Sequence, residues 1–190
     1  MALSETSIVN MALARLGANR INALTDTSVE AIQANLHYTQ TRDALLRSHT
    51  WRFARARAIL SVDTTAPAFG YDHQYILPAD FLRLVGLYDT SYPYAIEGDR
   101  LLTDDDATDL YYIRKVTDPA EFDPLFAEVL VLQLAVKLVM PLSGDKVLRR
   151  EVQDELFLVM ARVRTVDKQE QNIGTDTGTS WVDSRTQTTT

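Results

Sequence analysis

The chain has no cysteine among its 190 residues and only three histidines. The lack of cysteine excludes disulfide bonds, thiol catalysis and cysteine-ligated zinc. His37, His49 and His73 lie far apart, without the His-x-x-x-His or Glu-x-x-His spacing of a metal-binding helix. The sequence therefore predicts no metal site of these kinds and no cofactor.

Common enzyme motifs are also missing from the sequence. It contains no Gly-x-x-x-x-Gly-Lys loop, no Gly-x-Gly-x-x-Gly fingerprint and no Gly-x-Ser-x-Gly turn around a nucleophilic serine. The one arrangement that suggests acid–base or metal chemistry is an acidic cluster, formed by Asp104, Asp105, Asp106 and Asp109. This cluster lacks the glycine and the glutamate that a calcium-binding EF loop needs at its sixth and twelfth positions. We therefore interpret it as a solvated turn, with ion binding as the alternative.

A basic balance is absent as well, because the net charge is −7. Tight binding of nucleic acid requires clustered Lys and Arg, so the charge argues against it. The N-terminus has neither a basic region nor a continuous apolar run, and we expect no signal peptide. The most apolar window, 129–140, contains Gln133 and Lys137 and is too short for a membrane span, so we expect a soluble protein without a membrane partner.

Helical spacing of apolar residues predicts two helices near the N-terminus. The first is expected from Ser4 to Leu16, with Ser4 or Thr6 as its N-cap and Gly17 as its stop. The second is expected from a Thr27-x-x-Glu30 capping box to about Ser48. The apolar stripe expected to be buried on this second helix consists of Val29, Ile32, Leu36, Leu45 and Leu46.

Two more helices are predicted towards the C-terminus. The segment from Leu125 to Met140 is apolar on almost every side, so the bundle or a neighbouring subunit must cover it all round. A turn is expected over 141–144, and Asp145 can cap a fourth helix that runs to about Gln169. The apolar side of that fourth helix consists of Leu148, Val152, Leu156, Val159, Met160 and Val163.

Between the two helical regions the pattern becomes extended. Strands follow one another without helices between them, which predicts an antiparallel sheet, and Gly98-Asp99 predicts a tight hairpin. The expected fold is α+β: a bundle of about four antiparallel helices (1–54 and 120–170), an inserted small antiparallel β-sheet (55–119) and an extended C-terminal tail (171–190). The expected strands are 58–62, 71–77, 81–88, 94–97, 100–103 and 110–116.

Two tryptophans are predicted to serve different purposes. Trp51 and Phe53 follow the second helix directly, and bulky aromatic rings at a helix exit are typical of core anchors. Trp181, Val182 and Arg185 instead lie within a polar tail that has too few apolar residues to fold alone. Because Trp and Arg often carry interface energy, we interpret these three residues as a motif that binds a partner.

An ordered set of motifs covers nearly the whole chain and resembles the tail tubular protein A family, the head-to-tail adaptors of short-tailed bacteriophages. The tail 181–185 and the hairpin residues Glu97-Gly98 belong to the set, as does Tyr112-Ile113 in the last strand. The longer motifs are Leu-Leu-x-x-His-x-Trp-x-Phe-Ala at 45–54, Pro-Ala-Phe-Gly-Tyr at 67–71, Tyr-Ile-Leu-Pro-Ala-Asp at 75–80 and Asp-Pro-x-x-Phe-Asp-Pro-Leu-Phe at 118–126.

The resemblance implies a structural protein of the virion without enzymatic activity. It implies a dodecameric ring between the portal protein and a tail nozzle of the tail tubular protein B type, with DNA passing through the centre without specific binding. Copies of the chain would be made in the host cytoplasm and would reside at the head-to-tail junction. In such a ring, the carboxylates of Asp104, Asp105, Asp106 and Asp109 are candidates to face the channel and repel phosphate.

Two other classes of function stay open at the level of sequence. One is an assembly chaperone or binding module that leaves before the particle matures. The other is a hydrolase that uses the carboxylates of the acidic cluster. An adaptor must remain in purified particles, whereas a chaperone must not, and a hydrolase must show activity on cell-wall or nucleotide substrates.

Overall fold

In a computed structural model of the chain, the residues described are 3–89, 91–106 and 108–171, with side chains as far as residue 166. The fold is α+β, as predicted: four helices accompany two small antiparallel sheets. Short 3₁₀ turns at Arg52–Ala54 and Pro119–Glu121 lie at the two crossings between the helical and strand regions. The four helices are α1 (Glu5–Arg15), α2 (Val29–Ser48), α3 (Pro124–Leu142) and α4 (Lys146–Gln171).

Helix α3 is the central helix of the bundle, and α1, α2 and α4 all pack against it. It has 19 residues and is therefore longer than the apolar window 129–140. With a mean hydropathy of 2.0, it has the length and composition of a membrane span. Pro141 lies within its last turn, and the helix continues to Leu142 before Ser143 and Gly144 end it. Ten of its side chains are buried, so the expected coverage is supplied largely by the bundle itself.

Helix α2 differs from the prediction in two respects. Its N-cap is Ser28, whose hydroxyl accepts the Ala31 N–H, and not Thr27. Its buried face was also predicted wrongly at the N-terminal end, where the stripe of larger aliphatic residues points into solvent. The residues that are buried follow a second helical repeat and consist of Ala31, Ala34, Tyr38, Thr41, Arg42, Leu45 and Leu46.

The exposed aliphatic residues of α2 follow from close helix packing. Ala31 and Ala34 are fully buried, and small side chains allow helix axes to approach closely. Once these alanines face the core, the residues at 29, 32 and 36 must lie on the opposite side of the helix.

Helix α4 begins where the sequence predicted. The Asp145 carboxylate accepts the N–H groups of Val147 and Leu148, which otherwise have no partner in the first turn. Val152 and Val163 are buried, and the other members of the predicted apolar face are partly buried against the same core. The helix continues to Gln171, two residues beyond the predicted end.

The strand region forms two sheets and not one. The first has the order β1-β6-β3 and the second has the order β2-β5-β4, and every pairing is antiparallel. The hairpin at Gly98-Asp99 is confirmed, with Glu97 paired to Arg100 and Gly98 at a φ of 60°. The strands are β1 (Arg55–Ile59), β2 (His73–Ile76), β3 (Phe81–Leu87), β4 (Tyr94–Glu97), β5 (Arg100–Thr103) and β6 (Asp109–Arg114).

The prediction of a single sheet fails because the chain changes partner just after β1. β1 pairs with β6, and the bond from the Leu60 N–H to the Thr108 carbonyl extends that pairing by one residue. Val62 then bridges to Tyr75 of β2. The segment 60–62 therefore passes from the first sheet to the second. A small second core lies among the strands and consists of Leu60, Tyr75, Leu77, Leu101, Leu110 and Tyr112.

Candidate interaction surfaces

Trp51 is an anchor of the fold, as predicted. Its side chain is 3% exposed, its indole N–H donates to the Leu45 carbonyl over 2.9 Å, and its ring meets Phe126 edge-on at 5.0 Å. Phe53 is only partly buried, although its ring contacts Phe122 and Phe126. The aromatic cluster joins the exit of α2 to the start of α3, which fixes the strand region to the bundle.

The acidic cluster is divided between two places. Asp104, Asp105 and Asp106 form the turn after β5, whereas Asp109 begins β6 and lines a cavity of about 340 Å³ on the sheet. The Asp104 carboxylate accepts the Asp72 N–H over 3.0 Å, and an Asp106 oxygen lies 3.1 Å from His73 Nε2. These contacts are typical of a structural turn. In the part of the chain that the structure describes, no three His, Asp or Glu residues are placed to hold a metal ion.

Tyr75 fixes this turn to β2. Its hydroxyl donates to the Asp105 carbonyl over 2.6 Å. Burial raises the pKa of Tyr75, and the nearby charges of Asp105 and Asp106 raise it further. The phenol of Tyr75 is therefore neutral at physiological pH and lies beside the carboxylates of the Asp104–Asp106 turn.

The predicted partner-binding residues Trp181, Val182 and Arg185 lie outside the described residues. Their role is therefore still a prediction from sequence.

The first surface that the sequence did not predict is on α2. Val29, Ile32 and Leu36 are 61%, 55% and 60% exposed, and they follow one side of the helix at spacings of three and four residues. We call these three residues the α2 surface. Helical periodicity revealed the stripe, but it could not reveal which of two competing stripes faces the core.

A second apolar surface lies on α4. Phe157 and Leu158 are 72% and 68% exposed, whereas the opposite side of α4 packs against the bundle core. We call these two residues the α4 surface. Neither residue belongs to the apolar face predicted for α4, so two large apolar side chains outside that face were the signal in the sequence for an exposed apolar patch. The α2 and α4 surfaces are on two separate helices that both pack on α3.

An apolar groove of about 720 Å³ also lies between α1 and α3. Met11, at 43% exposure, lines the groove together with Ala127 and Val131. At the rim, Arg15 forms an ion pair with Glu155 of α4 at 2.5 Å.

The last candidate surface is a groove between the edge strands β3 and β4. Its volume is about 550 Å³, and we call it the β3–β4 groove. Both apolar residues and two arginines line it. The lining includes Arg47, Leu82, Arg83, Leu84, Tyr94 and Ile96.

Comparison with known proteins adds no relative: no protein-family model matches the chain, and no curated protein matches its sequence significantly.

Proposed function

We propose that the chain is a subunit of a head-to-tail adaptor ring in a short-tailed bacteriophage, without enzymatic activity. The proposal starts from the ordered motifs between residues 45 and 126 and the tail motif at 181–185. The observation that supports it best is the pair of separate apolar surfaces on α2 and α4, because large exposed apolar patches mark interaction sites.

A ring requires two different contact surfaces on each copy. In a cyclic assembly of more than two copies, one surface of each subunit binds a different surface of the next, and closure of the circle leaves neither surface free. We therefore assign the α2 surface of one copy to the α4 surface of its neighbour. A symmetric dimer would instead place identical residues against each other.

The rest of the assignment concerns partners. The dodecameric ring would lie in the virion between the portal protein and the tail nozzle, and DNA would pass through its centre. The C-terminal tail would bind the portal through Trp181, Val182 and Arg185. The strand region would contact the nozzle, because it has a small core of its own in addition to its contacts with the bundle.

Cross-linking through single cysteines tests the ring contact, and the absence of native cysteine gives it no background. Ile32→Cys and Leu158→Cys are prepared as separate proteins and then mixed under mild oxidation. We expect a covalent dimer in the mixture and almost none in either protein alone. The control is Phe69→Cys, which is 88% exposed on a loop of the strand region and should cross-link with neither.

Dimers in each single variant alone would contradict the head-to-tail arrangement, because they indicate a symmetric contact. The absence of dimers in the mixture and in each protein alone would overturn the assigned ring surfaces.

Portal binding is tested with the tail. Deletion of residues 172–190 should abolish attachment to portal-bearing heads while the circular dichroism spectrum and melting temperature stay close to those of the full chain. Trp181→Ala should reproduce much of the loss, since an interface anchor contributes about 2 kcal/mol or more. Wild-type occupancy of portal-bearing heads by the truncated chain would disprove the docking role.

Mass spectrometry of purified particles tests whether the chain stays in the virion. An adaptor must be found in the particles, whereas an assembly chaperone would have left.

A further inference from the structure

The two sheets are connected on one side and open on the other. The connected side is formed by 60–62, which leaves β1, receives a hydrogen bond from Ile76 at Ser61 and bridges to β2 at Tyr75. On the other side, β3 is the outer strand of the first sheet and β4 is the outer strand of the second. The strands are therefore linked in the order β3-β6-β1-β2-β5-β4 through the segment 60–62, and the β3–β4 groove is the gap between the two outer strands.

The loop between β3 and β4 is long enough for one additional strand to fit in the gap. Residues 88–93 connect β3 directly to β4, and six residues can span about 20 Å at full extension. Two strands that flank a third lie roughly 10 Å apart, which is twice the spacing of paired strands. The loop therefore allows the separation that an inserted strand requires.

The backbone edges of the groove determine what kind of ligand fits it. An edge strand presents N–H and C=O groups along its outer side, and another extended backbone satisfies such groups best. One backbone acceptor of β3 already has a partner, because the Arg47 side chain donates to the Leu82 carbonyl over 2.5 Å. Gly98 and Ile96 of the opposite side line the same groove, so a ligand strand would lie between β3 and β4.

The charge of the groove is positive although the whole chain is acidic. Arg47 and Arg83 are its charged lining residues, and no carboxylate lines it among the residues described. Arg83 donates to the Thr50 hydroxyl over 2.9 Å, but its Nε atom is buried without a hydrogen-bond partner in the described part of the chain. A buried guanidinium N–H without a partner is costly, so a carboxylate at this position would stabilise the complex.

We propose that the β3–β4 groove binds an extended, acidic segment of a protein partner by strand addition. Main-chain hydrogen bonds to β3 and β4 hold the segment, and a carboxylate side chain of the segment pairs with Arg83. Apolar side chains at alternate positions then contact Leu84, Tyr94 and Ile96, because alternate residues of a strand point to one face. The site belongs to the isolated chain and does not depend on ring formation.

The test uses a synthetic peptide of alternating glutamate and valine, capped at both ends and labelled with fluorescein. Binding is measured by fluorescence anisotropy, and the backbone amide signals of β3 and β4 are followed by NMR. We expect saturable binding, with the largest shifts at Val85, Tyr94 and Ile96. Replacing glutamate by lysine in the peptide should weaken binding about tenfold, because the arginines then repel it.

Two controls separate strand addition from simple charge attraction. A glutamate–valine peptide with alternate N-methylated amides keeps its charge but loses donors, and it should bind at least about tenfold more weakly. Arg83→Gln should weaken the unmodified peptide about fivefold, whereas Arg164→Gln, on α4 outside the groove, should leave binding unchanged.

Several results would overturn the proposal. Equal binding of the N-methylated peptide would exclude strand addition, and equal binding of the lysine peptide would exclude the acidic preference. The absence of any saturable binding at millimolar peptide concentration would exclude a peptide-binding site in this groove. Binding of an oligothymidylate at these amides, without binding of the peptide, would assign the groove to nucleic acid. The ring contact is tested separately by cysteine cross-linking, so the result of that experiment does not decide whether the groove binds the peptide.

Discussion

At the scale of single residues, Trp51 connects the two parts of the molecule. Its ring packs on Phe126 at the start of α3, and its indole N–H closes the end of α2. We predict that Trp51→Ala lowers the free energy of unfolding by about 3–5 kcal/mol, because it creates a cavity and leaves the Leu45 carbonyl without this donor. Urea denaturation followed by circular dichroism measures the change.

Two further alanine variants show whether the effect follows burial. Phe53→Ala should lower the free energy of unfolding by less than Trp51→Ala does, because Phe53 is only partly buried. Phe157→Ala should change stability by no more than about 0.5 kcal/mol, since its ring is 72% exposed. An equal loss at Trp51 and Phe157 would contradict the assignment of one aromatic residue to the fold and the other to an interface.

Tyr38 carries the clearest dependence on pH. Burial raises the pKa of Tyr38 well above its usual value, the charge of Glu5 raises it further, and Arg42 opposes the shift. The folded state therefore favours the neutral phenol more than the unfolded state does. The contribution of Tyr38 to stability is complete below the unfolded pKa of about 10 and is lost as the pH rises towards the folded value.

We predict that Tyr38→Phe reduces this alkaline loss. The Tyr38 hydroxyl is buried and has no hydrogen-bond partner among the described residues, so its removal should not lower stability at pH 7. Tyr75→Phe should instead cost about 1 kcal/mol at pH 7, because Tyr75 donates to the Asp105 carbonyl. Thermal melts between pH 7 and 11 compare the variants, and an unchanged alkaline slope in Tyr38→Phe would disprove the prediction.

At the scale of elements, the sequence predicted what depends on local signals. Caps at Ser4 and Asp145, the stop at Gly17 and the Gly98-Asp99 hairpin each involve residues only a few positions apart, and all are present. The buried face of α2 was not predictable in the same way. Two stripes with helical spacing compete on that helix, and only the packing partner decides between them.

Arg42 shows why a prediction from apolar residues alone gave the wrong buried face for the start of α2. This arginine is 4% exposed, and it pairs with Asp43 at 2.8 Å and with Glu5 of α1 at 3.8 Å. A buried charge is tolerated when it is paired, so a face with Arg42, Thr41 and two alanines can still be the core face. No pattern of apolar residues along one segment reveals such a partner on another helix.

The start of α2 gives a prediction at this scale. The Ser28 hydroxyl accepts the Ala31 N–H, whereas the sequence had suggested Thr27 as the cap. Ser28→Ala should therefore lower the free energy of unfolding by about 1 kcal/mol, and Thr27→Ala should change it by only a few tenths. Equilibrium unfolding in urea distinguishes the two, and a larger loss of stability in Thr27→Ala would show that Thr27 caps the helix.

At the scale of the whole molecule, the sites were less predictable than the fold. The division into two sheets depends on pairings between distant residues, such as Val62 with Tyr75 and Arg55 with Ile113. The α2 surface, the α4 surface and the β3–β4 groove exist only because the elements around them have packed. The sequence motifs instead indicated a family resemblance and a partner-binding tail. Both predictions concern other proteins, which the structure of a single chain does not contain.

The distribution of charge gives the last prediction, which concerns DNA. In the proposed ring, subunits of net charge −7 should let DNA move through the central passage without holding it. We expect no binding of a 30-base-pair duplex tighter than about 100 µM at 0.15 M salt, measured by fluorescence anisotropy on the assembled ring.

The acidic cluster tests where this repulsion originates. If its carboxylates face the channel, replacing all four by asparagine should produce binding that weakens steeply with salt, because the loss of local negative charge favours phosphate. A control with the same total change in charge keeps the cluster and neutralises four carboxylates elsewhere, with glutamine or asparagine at Glu97, Glu128, Glu151 and Asp154. Equal gains in both variants would show that net charge alone excludes DNA. A gain confined to the cluster variant would place Asp104, Asp105, Asp106 and Asp109 at the channel wall.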